Sequence, residues 1–315
     1  MTDQVLILSN PGAGSRFRTD VLAELTAAIQ AAGLACQVID RMDALAETAA
    51  GFHAQGKLRA VVAAGGDGTV AAAANHVAPE VPITVYPLGT ANLLAGYFRI
   101  GRDPQAMARM LRDNCRARFD AGRAGGRRFL LMASCGFDAD VVRRLHEKRL
   151  GKHITYWTWA RPLLESIRRY RYPELRVSCF ASDGTLLDEE RRVRWAFAVN
   201  FPVYAGGLGV APEADAADGV LDVCTFRQGS PWHALRYAAS VALGFHRRFA
   251  DFHCMPAARV RIESDEPIPY QLDGDYGGVL PLEIECIPGC LTLVVPRQRA
   301  LELGLQLIEP THAGS

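Results

Sequence analysis

Three short apolar runs in the first hundred residues each give way to a turn rich in small residues and then to a helix-like segment. The runs cover residues 5–8, 60–64 and 83–86. Alternation of strand and helix is typical of a parallel α/β sheet, because parallel strands need a long crossover connection. The turns of such a sheet meet at the carboxyl edge of its strands, where open sheets bind their ligands. The sequence therefore predicts an α/β sheet with a binding edge.

The turn Gly65-Gly66-Asp67-Gly68-Thr69 is the most informative of the three. Glycine has no Cβ, so phosphate oxygens can approach the backbone, and the start of the next helix offers unpaired amides and a positive dipole end. This chemistry predicts a nucleotide phosphate at the turn. A plain strand-to-helix connection, in which Asp67 or Thr69 caps the helix and nothing binds, is the alternative.

The other two turns are similar. The third apolar run leads into Gly89, Thr90 and Asn92, with Thr90 placed to cap the following helix. The amino-terminal run leads into residues 9–15, which include Asn10. Because all three turns fall at one predicted edge, their agreement favours a nucleotide site over a chance pattern.

The chain of 315 residues is longer than one usual domain, so we expect two domains with a cleft between them. From Arg128 onward short strands follow one another with few helices, which is typical of an antiparallel β-sandwich. The glycine-rich stretch 120–128 is either the junction or a hairpin turn. The predicted fold is therefore α/β, with an N-terminal parallel-sheet nucleotide-binding domain over residues 1–122 and a C-terminal antiparallel β-sandwich domain over residues 123–294.

Charge and cysteine content limit the choice of partners and compartment. Lys and Arg number 35 and Asp and Glu 34, so the formal charge of +1 gives no general attraction to nucleic acid. The chain begins without a basic and then hydrophobic leader, and no apolar stretch reaches the roughly 18 residues of a membrane span. The eight cysteines are scattered without zinc-ligand spacing, as expected of cytoplasmic thiols. We therefore expect a cytoplasmic protein with no transmembrane segment and no nucleic-acid partner.

Two segments of the second half have a helical pattern with tryptophan on one side and arginines around it. They cover residues 151–172 and 230–249. A helix of this kind lies in a membrane interface when its apolar face is exposed. It packs on a sheet when that face turns inward. The sequence leaves both interpretations open.

Several motifs, taken in order, resemble those of the diacylglycerol kinase catalytic-domain family, which contains soluble bacterial lipid kinases and the sphingosine and ceramide kinases. The motifs lie at residues 10–14, 65–69, 87–92, 136–139 and 218–222. The resemblance extends from Asn10 to at least Asp275. It implies an ATP-dependent kinase that transfers the γ-phosphate to the hydroxyl of a diacylglycerol-like or long-chain-base lipid. It also implies that residues 295–315 return to the first domain, and that the β-rich domain binds the lipid.

The resemblance assigns the nucleotide site residue by residue. Phosphate contacts fall to Gly65, Gly66, Gly68 and Thr69, and the rest of the nucleotide is held by Asn10, Gly89, Thr90, Asn92 and nearby backbone. The carboxylate of Asp67 would repel phosphate, so its presence makes electrostatic sense with a Mg²⁺ ion between them. Without a metal, Asp67 is a structural cap. The expected cofactors are therefore ATP and Mg²⁺.

The candidate base lies in the turn Leu272-Asp273-Gly274-Asp275, which resembles the Asp-Gly-Glu motif of the family with Asp275 in place of glutamate. Aspartate is one methylene shorter, and proton transfer is sensitive to the reach of the carboxylate. The role of base falls to Asp273, to Asp275 or to neither. A turn with no catalytic role is the alternative.

An acidic loop, residues 212–222, contains the motif at residues 218–222. In the family the corresponding loop holds a structural magnesium, which here implies Asp215, Asp218 and the backbone of Val220 as ligands. Oxygen ligands suit Mg²⁺ or Ca²⁺, although the spacing is not that of an EF-hand. A plain acidic turn is the alternative.

Other functions and partners stay open at this point. An NAD kinase shares the Gly-Gly-Asp-Gly turn but phosphorylates a soluble dinucleotide. A nucleotide-binding regulatory protein without turnover would account for the altered Asp275. The bulky Phe201, where the family has glycine, is expected to reshape the acceptor site. The lipid substrate is expected at a membrane surface, with peripheral attachment to the inner membrane and a homodimer as further expectations.

Overall fold

The computed structural model describes residues 3–9, 16–147, 156–203 and 209–308. The chain divides into two compact units. The first comprises Met1–Phe119 and Gly289–Ser315, and the second comprises Asp120–Pro288. Among the helices of the described ranges, none is both long enough and apolar enough to cross a membrane.

Strands and helices alternate in the first part of the chain. The elements are β1 (Gln4–Ser9), α1 (Arg16–Ala31), β2 (Ala35–Ile39), α2 (Met42–Ala54), β3 (Leu58–Gly65), α3 (Asp67–His76), β4 (Pro82–Pro87), α4 (Leu93–Phe98) and α5 (Pro104–Asp113). Strand β1 lies between β2 and β3, and β4 follows β3, with all of these neighbours parallel. This is the predicted parallel sheet.

The parallel sheet is buried on both faces. Nearly every residue of β3 is inaccessible to solvent, as expected where crossover helices cover both sides of a sheet. One face carries Ile7 and Val62, which pack with Leu25 of α1 and Leu111 of α5 in one apolar cluster. The sheet is therefore a rigid support for the turns at its carboxyl edge.

Strands predominate in the rest of the chain. The elements are β5 (Arg116–Ala124), β6 (Arg127–Phe129), β7 (Met132–Cys135), α6 (Phe137–Glu147), α7 (Tyr156–Arg169), β8 (Leu175–Phe180), β9 (Arg191–Val193), β10 (Trp195–Val199), β11 (Leu221–Phe226), α8 (Pro231–Ala242), a 3-10 helix (His246–Arg248), β12 (Phe252–Ala257), β13 (Arg259–Glu263), β14 (Pro269–Leu272), β15 (Asp275–Val279), β16 (Leu282–Val294), α9 (Arg297–Glu302) and β17 (Leu307–Ile308). The stretch 120–128 is a hairpin between β5 and β6, one of the two predicted possibilities.

Two antiparallel sheets form the sandwich of the second unit. One has the order β12-β11-β10-β7-β14-β15, and the other includes β13 between β8 and the first residues of β16. Alternate residues such as Val177, Val260 and Ile262 point inward and pack with Ala196 and Leu272 of the facing sheet. This period of two is typical of a sheet with one buried face. The predicted antiparallel β-sandwich is confirmed.

Leu130 and Leu131 separate the short strands β6 and β7. One local prediction was wrong. The cysteines were expected to be separate thiols, whereas Cys224 and Cys254 face each other across β11 and β12 and form a disulfide. Two cysteines on neighbouring strands can pair only when the register places them opposite each other, and the spacing of cysteines in the sequence does not reveal that register.

Candidate functional site

The turn after β3 leaves backbone amides unpaired at the start of α3. Gly66 is the N-cap of this helix and no side chain caps it, so the alternative in which Asp67 or Thr69 caps its own helix does not hold. The first hydrogen bond of the helix runs from the Thr69 amide to the Gly66 carbonyl, 2.9 Å. The amides of Asp67 and Gly68 precede it and have no acceptor among the described residues. Such amides and the helix dipole together form a site suited to an anion.

The glycines of this turn are needed by the protein itself. A Cβ on Gly89 would lie only 2.5 Å from the Cα of Gly66, because the turns after β3 and β4 touch at these two residues. A Cβ on Gly65 would lie 2.1 Å from Oγ1 of Thr69. The sequence suggested that the missing Cβ atoms make room for phosphate. The structure gives a further reason at Gly89, since the two turns could not approach each other as they do with a larger residue there.

Asp67 holds the second turn in place. Its two carboxylate oxygens accept hydrogen bonds from the amides of Leu93 and Leu94, 2.9 and 3.0 Å, at the start of α4. The prediction that Thr90 caps α4 was wrong, because the N-cap of this helix is Asn92, whose φ is positive at 49°. The Asn92 side chain bonds the amide and carbonyl of Gly89, 2.9 and 2.8 Å. Asp67 is therefore a structural cap, of the next helix rather than of its own.

The third predicted turn contains Asn10, which lies outside the described residues. Of the nucleotide residues suggested by the resemblance, the structure brings together the two neighbouring turns of β3 and β4. Within them Gly68 and Thr90 are exposed, and Thr69 is half-buried.

The second unit contains the acidic turn, which is a tight hairpin between β14 and β15. Leu272 pairs with Asp275 across the turn. The two residues between them, Asp273 and Gly274, have positive φ values of 50° and 86°. Two successive positive φ angles are required by a type I′ turn, for which Asp-Gly is a preferred sequence. The dipeptide therefore has a sufficient structural explanation of its own.

The carboxylate of Asp273 is occupied by backbone amides. It accepts hydrogen bonds from Leu130, Leu131 and Met132, at 2.7, 2.7 and 3.0 Å. Leu130 and Leu131 form the break between β6 and β7 and Met132 begins β7, so Asp273 holds the chain where the two strands are divided. A carboxylate that satisfies three buried donors stabilises the fold. Asp273 therefore has a structural role in this turn.

Asp275 is half-buried at the first position of β15. The turn beside it is fixed by a chain of hydrogen bonds: the Gly274 amide donates to the Gln271 side chain, 2.7 Å, and Gln271 donates to the Ser134 hydroxyl, 2.8 Å. Ser134 in turn donates to Asp138 in the first turn of α6. Asp275 therefore directly follows a turn whose backbone is fixed by hydrogen bonds.

Helix α6 is anchored by the buried carboxylate of Asp140, which is 2% exposed. Arg143 and Arg144 of α6 donate hydrogen bonds to it at 2.6 and 2.7 Å, and Ser166 of α7 donates one at 2.8 Å. Burial alone would raise the pKa of Asp140, but these three hydrogen bonds outweigh it and lower the pKa. The charged form is thus favoured in the folded protein, and it ties α6 to α7.

The acidic loop is organised around a buried aspartate that sequence reasoning missed. Asp120 is 2% exposed and accepts a hydrogen bond from the Gly219 amide, 2.6 Å. Asp215 and Asp218 accept from the amides two residues after them, Ala217 and Val220, at 3.1 and 3.0 Å. The loop therefore has a defined conformation with several carboxylates close together.

Negative charge accumulates in this loop. Burial raises the pKa of Asp218, and the carboxylates of Asp215 and Asp120 raise it further against the Val220 hydrogen bond. Burial also raises the pKa of Asp222, as do Asp218 and Glu213. A bound cation would relieve this repulsion, so the residues fit a hard divalent ion. Within the described part of the chain, however, no three His, Cys, Asp or Glu side chains form a metal cluster, so backbone oxygens or water would have to complete the ligand set.

The sequence did not predict that Gln271 and Ser134 support the acidic turn. Both residues are fully buried. The only signal in the sequence is a polar residue at an inward position of an otherwise apolar strand. Phe201 was expected to reshape the acceptor site, but its side chain is 0% exposed and belongs to the interior. The expectation for Phe201 was therefore wrong.

Comparison with known proteins agrees with this division of the chain. Residues 4–124 match the model of the diacylglycerol kinase catalytic domain. Residues 132–295 match the model of the YegS C-terminal domain, described as an NAD kinase beta sandwich-like domain. The two matches together span both units.

Two curated relatives have the same kind of name. A diacylglycerol kinase of Mycobacterium tuberculosis (strain CDC 1551 / Oshkosh) is 28% identical over 246 residues, which cover 76% of this chain and 77% of the relative. A YegS-like lipid kinase of Pseudomonas savastanoi pv. phaseolicola (strain 1448A / Race 6) is 30% identical over 250 residues, 76% of each chain. These relatives support a lipid kinase.

Solved structures show the same fold. A diacylglycerol kinase from Bacillus anthracis str. Sterne superposes with a TM-score of 0.69 at 22% identity, covering 94% of this chain and 98% of that one. An NAD kinase from Archaeoglobus fulgidus in complex with ATP superposes with a TM-score of 0.52 at 12% identity, covering 96% and 97%. The two family-model matches and the relative of 30% identity show that the chain belongs to the diacylglycerol kinase family.

Proposed function

We propose that this chain is an ATP-dependent lipid kinase that phosphorylates the hydroxyl of a diacylglycerol-like or long-chain-base lipid. The observation that carries the proposal is the pair of amides at Asp67 and Gly68, for which the described part of the chain supplies no acceptor. They lie at a helix start that Asp67 and the touching glycines hold rigid. Catalysis of phosphoryl transfer depends on positioning and on neutralising charge, and rigid amide donors serve both needs.

The first unit is proposed to hold the nucleotide. The amides of Asp67 and Gly68 would donate to phosphate oxygens, with Gly65, Gly66 and Thr69 supporting their position. Asn10, Gly89, Thr90 and Asn92 are proposed to contact the rest of the nucleotide. Bound ATP would supply the phosphoryl group. In the proposed division, residues 1–122 with 295–315 form the nucleotide domain and residues 123–294 the lipid domain.

The second unit is proposed to supply the base. The Asp275 carboxylate would take the proton of the lipid hydroxyl as that oxygen attacks. Asp273 would act as a positioning residue, because its carboxylate fixes the turn through three amides. A turn held in this way keeps the base in one geometry, which proton transfer requires.

Mg²⁺ is proposed to bind the acidic loop through Asp215, Asp218 and the backbone of Val220. We expect millimolar Mg²⁺ to raise the Tm of the protein, because a ligand that binds only the folded state stabilises it. Asp218→Asn should remove this increase, whereas Asp265→Asn, at an exposed position, should retain it. An equal increase in Tm for wild type and Asp218→Asn would contradict the proposed ligand.

The experiment that tests the function uses purified full-length protein, γ-labelled ATP with Mg²⁺ and a total bacterial lipid extract. We expect label in a product that partitions into organic solvent and appears only when lipid is present. Thin-layer separation beside phosphorylated diacylglycerol and sphingosine standards identifies the acceptor class. Label in NAD instead of lipid would indicate an NAD kinase. ATP binding by calorimetry with no transfer to either acceptor would indicate a regulatory protein.

A further inference from the structure

Helix α8 presents an apolar face to solvent. Trp232 is 69% exposed and Leu235 62% exposed, and Leu243 at the C-cap is 73% exposed. At 3.6 residues per turn these three positions lie on one side of the helix. Phe245, in the next turn of the chain, is 36% exposed and adds a further apolar side chain. We call Trp232, Leu235, Leu243 and Phe245 the α8 face.

The opposite side of α8 is already used by the fold. Ala234, Tyr237 and Ser240 are buried, and the Tyr237 hydroxyl donates to Asp251. Tyr237 also packs against Phe226 of β11, with ring centroids 4.3 Å apart. The helix is therefore fixed in orientation, and the exposed side chains are a stable outer surface. Among the described residues none covers them.

The surroundings of the α8 face are basic. Residues 223–250 contain four arginines and no aspartate, glutamate or lysine. Arg236 lies over the ring of Phe249, 4.0 Å from its centroid, and Arg247 pairs with Glu213. Arg248 is exposed and has no carboxylate partner among the described residues. Positive charge around exposed Trp, Leu and Phe is the composition of a helix that lies in a membrane interface.

We propose that the α8 face docks the protein onto a lipid bilayer with anionic headgroups. The apolar side chains would enter the boundary between headgroups and acyl chains, while Arg236, Arg247 and Arg248 contact lipid phosphates. A second copy of this chain is a poorer occupant, because pairing two such faces would bring Arg236 and Arg248 of one copy close to the same arginines of the other. The purpose of docking rests on the proposed function, since a lipid kinase must reach its substrate. The binding of the α8 face to a bilayer does not depend on the proposed function.

The experiment measures binding of the full chain to sedimenting vesicles without nucleotide. We expect vesicles of equal phosphatidylglycerol and phosphatidylcholine to bind the protein more tightly than pure phosphatidylcholine, with a difference that shrinks at high salt. Leu235→Ser should weaken binding about tenfold. Leu301→Ser is the matched control, because Leu301 is 67% exposed on α9. Arg248→Gln should weaken binding roughly fivefold, and only to the anionic vesicles.

Further measurements separate failure of this inference from failure of the proposed function. With a short-chain diacylglycerol dispersed in water, Leu235→Ser should transfer phosphate as fast as wild type, and with vesicle-borne substrate it should be slower. If wild type binds vesicles but phosphorylates neither substrate, the proposed function fails and the docking surface stands. Equal vesicle binding by wild type and Leu235→Ser would overturn the docking surface. So would a Leu235→Ser variant whose only change is altered self-association in sedimentation equilibrium.

Discussion

Asp67 and Asp273 belong to different units, yet each uses its carboxylate to fix a turn by accepting hydrogen bonds from backbone amides. Asp67 accepts hydrogen bonds from two amides at the start of α4. Asp273 accepts hydrogen bonds from three amides, those of Leu130, Leu131 and Met132. The two regions differ in what lies beside the anchor. In the first unit the neighbouring groups are unpaired amides, which attract an anion. In the second the neighbouring group is another carboxylate, Asp275, which can accept a proton.

The comparison teaches that the central aspartate of each motif holds backbone amides in place, and under the proposed function the chemistry falls to its neighbour. A carboxylate whose oxygens are occupied by backbone donors fixes a turn better than it reacts. The predictions that follow test whether anchor and working group can be separated by mutation.

The largest effect is expected at Asp275. Asp275→Asn removes the proposed base but leaves the type I′ turn intact, so phosphate transfer should fall roughly a hundredfold to ten-thousandfold with little change in Tm. Transfer is measured with labelled ATP and the best lipid acceptor. Asp265→Asn is the control, because Asp265 is 88% exposed in a surface ion pair with Arg176. Undiminished transfer by Asp275→Asn would remove the base assignment.

Asp273→Ala should instead act on stability. Three amides lose a charged acceptor, so the free energy of unfolding should decrease by about 3–5 kcal/mol. Urea unfolding followed by tryptophan fluorescence measures the change. A variant that unfolds like wild type but has lost all transfer would reverse the roles of the two aspartates.

Gly89→Ala tests the contact between the two turns of the first unit. The added methyl group would lie 2.5 Å from the Cα of Gly66, and we expect about 2–3 kcal/mol of destabilisation with weaker ATP binding. Gly96→Ala in α4 is the matched control, since a Cβ there meets nothing within 4 Å. Gly96→Ala should be neutral or slightly stabilising. Equal behaviour of the two variants would show that the turns do not need their close approach.

Asp140 provides the smallest and most pH-dependent effect. Its pKa is lowered in the folded protein, so the stability it contributes is present above its ordinary pKa and is lost as pH falls through the folded value. Asp140→Asn should therefore destabilise by about 1 kcal/mol at neutral pH, with the gap to wild type closing in acid. Urea unfolding from pH 7 to pH 3 measures it. A gap that widens in acid would contradict the lowered pKa.

Much of the fold could be predicted from local patterns. Strands β1 to β4 alternate with helices in the sequence as in the structure, and the Asp-Gly dipeptide indicates the β14–β15 hairpin directly. The errors come from distant contacts. The Leu131 amide donates a hydrogen bond to the carboxylate of Asp273, 142 residues away, and the Leu93 amide donates one to Asp67, 26 residues away. No local propensity reveals that a carboxylate from another element satisfies these amides.

The candidate site was only partly predictable for the same reason. The glycine-rich turns were visible as motifs because their close approach demands glycine, and the acidic hairpin was visible because its positive φ angles favour Asp-Gly. Which aspartate serves as anchor was not visible, since Asp273 and Asp275 look equivalent in a sequence. Buried support such as Gln271 and Asp120 depends on the packing of whole sheets, and it gives almost no sequence signal.

The most direct test of the account is the response of individual backbone amides to nucleotide. Uniformly ¹⁵N-labelled protein is titrated with a non-hydrolysable ATP analogue and Mg²⁺ while amide chemical shifts are recorded. We predict that the amides of Asp67 and Gly68 shift most, and that those of Leu130, Leu131 and Met132, already bonded to Asp273, stay unchanged. Binding of the analogue with no shift at Asp67 and Gly68 would contradict the central claim.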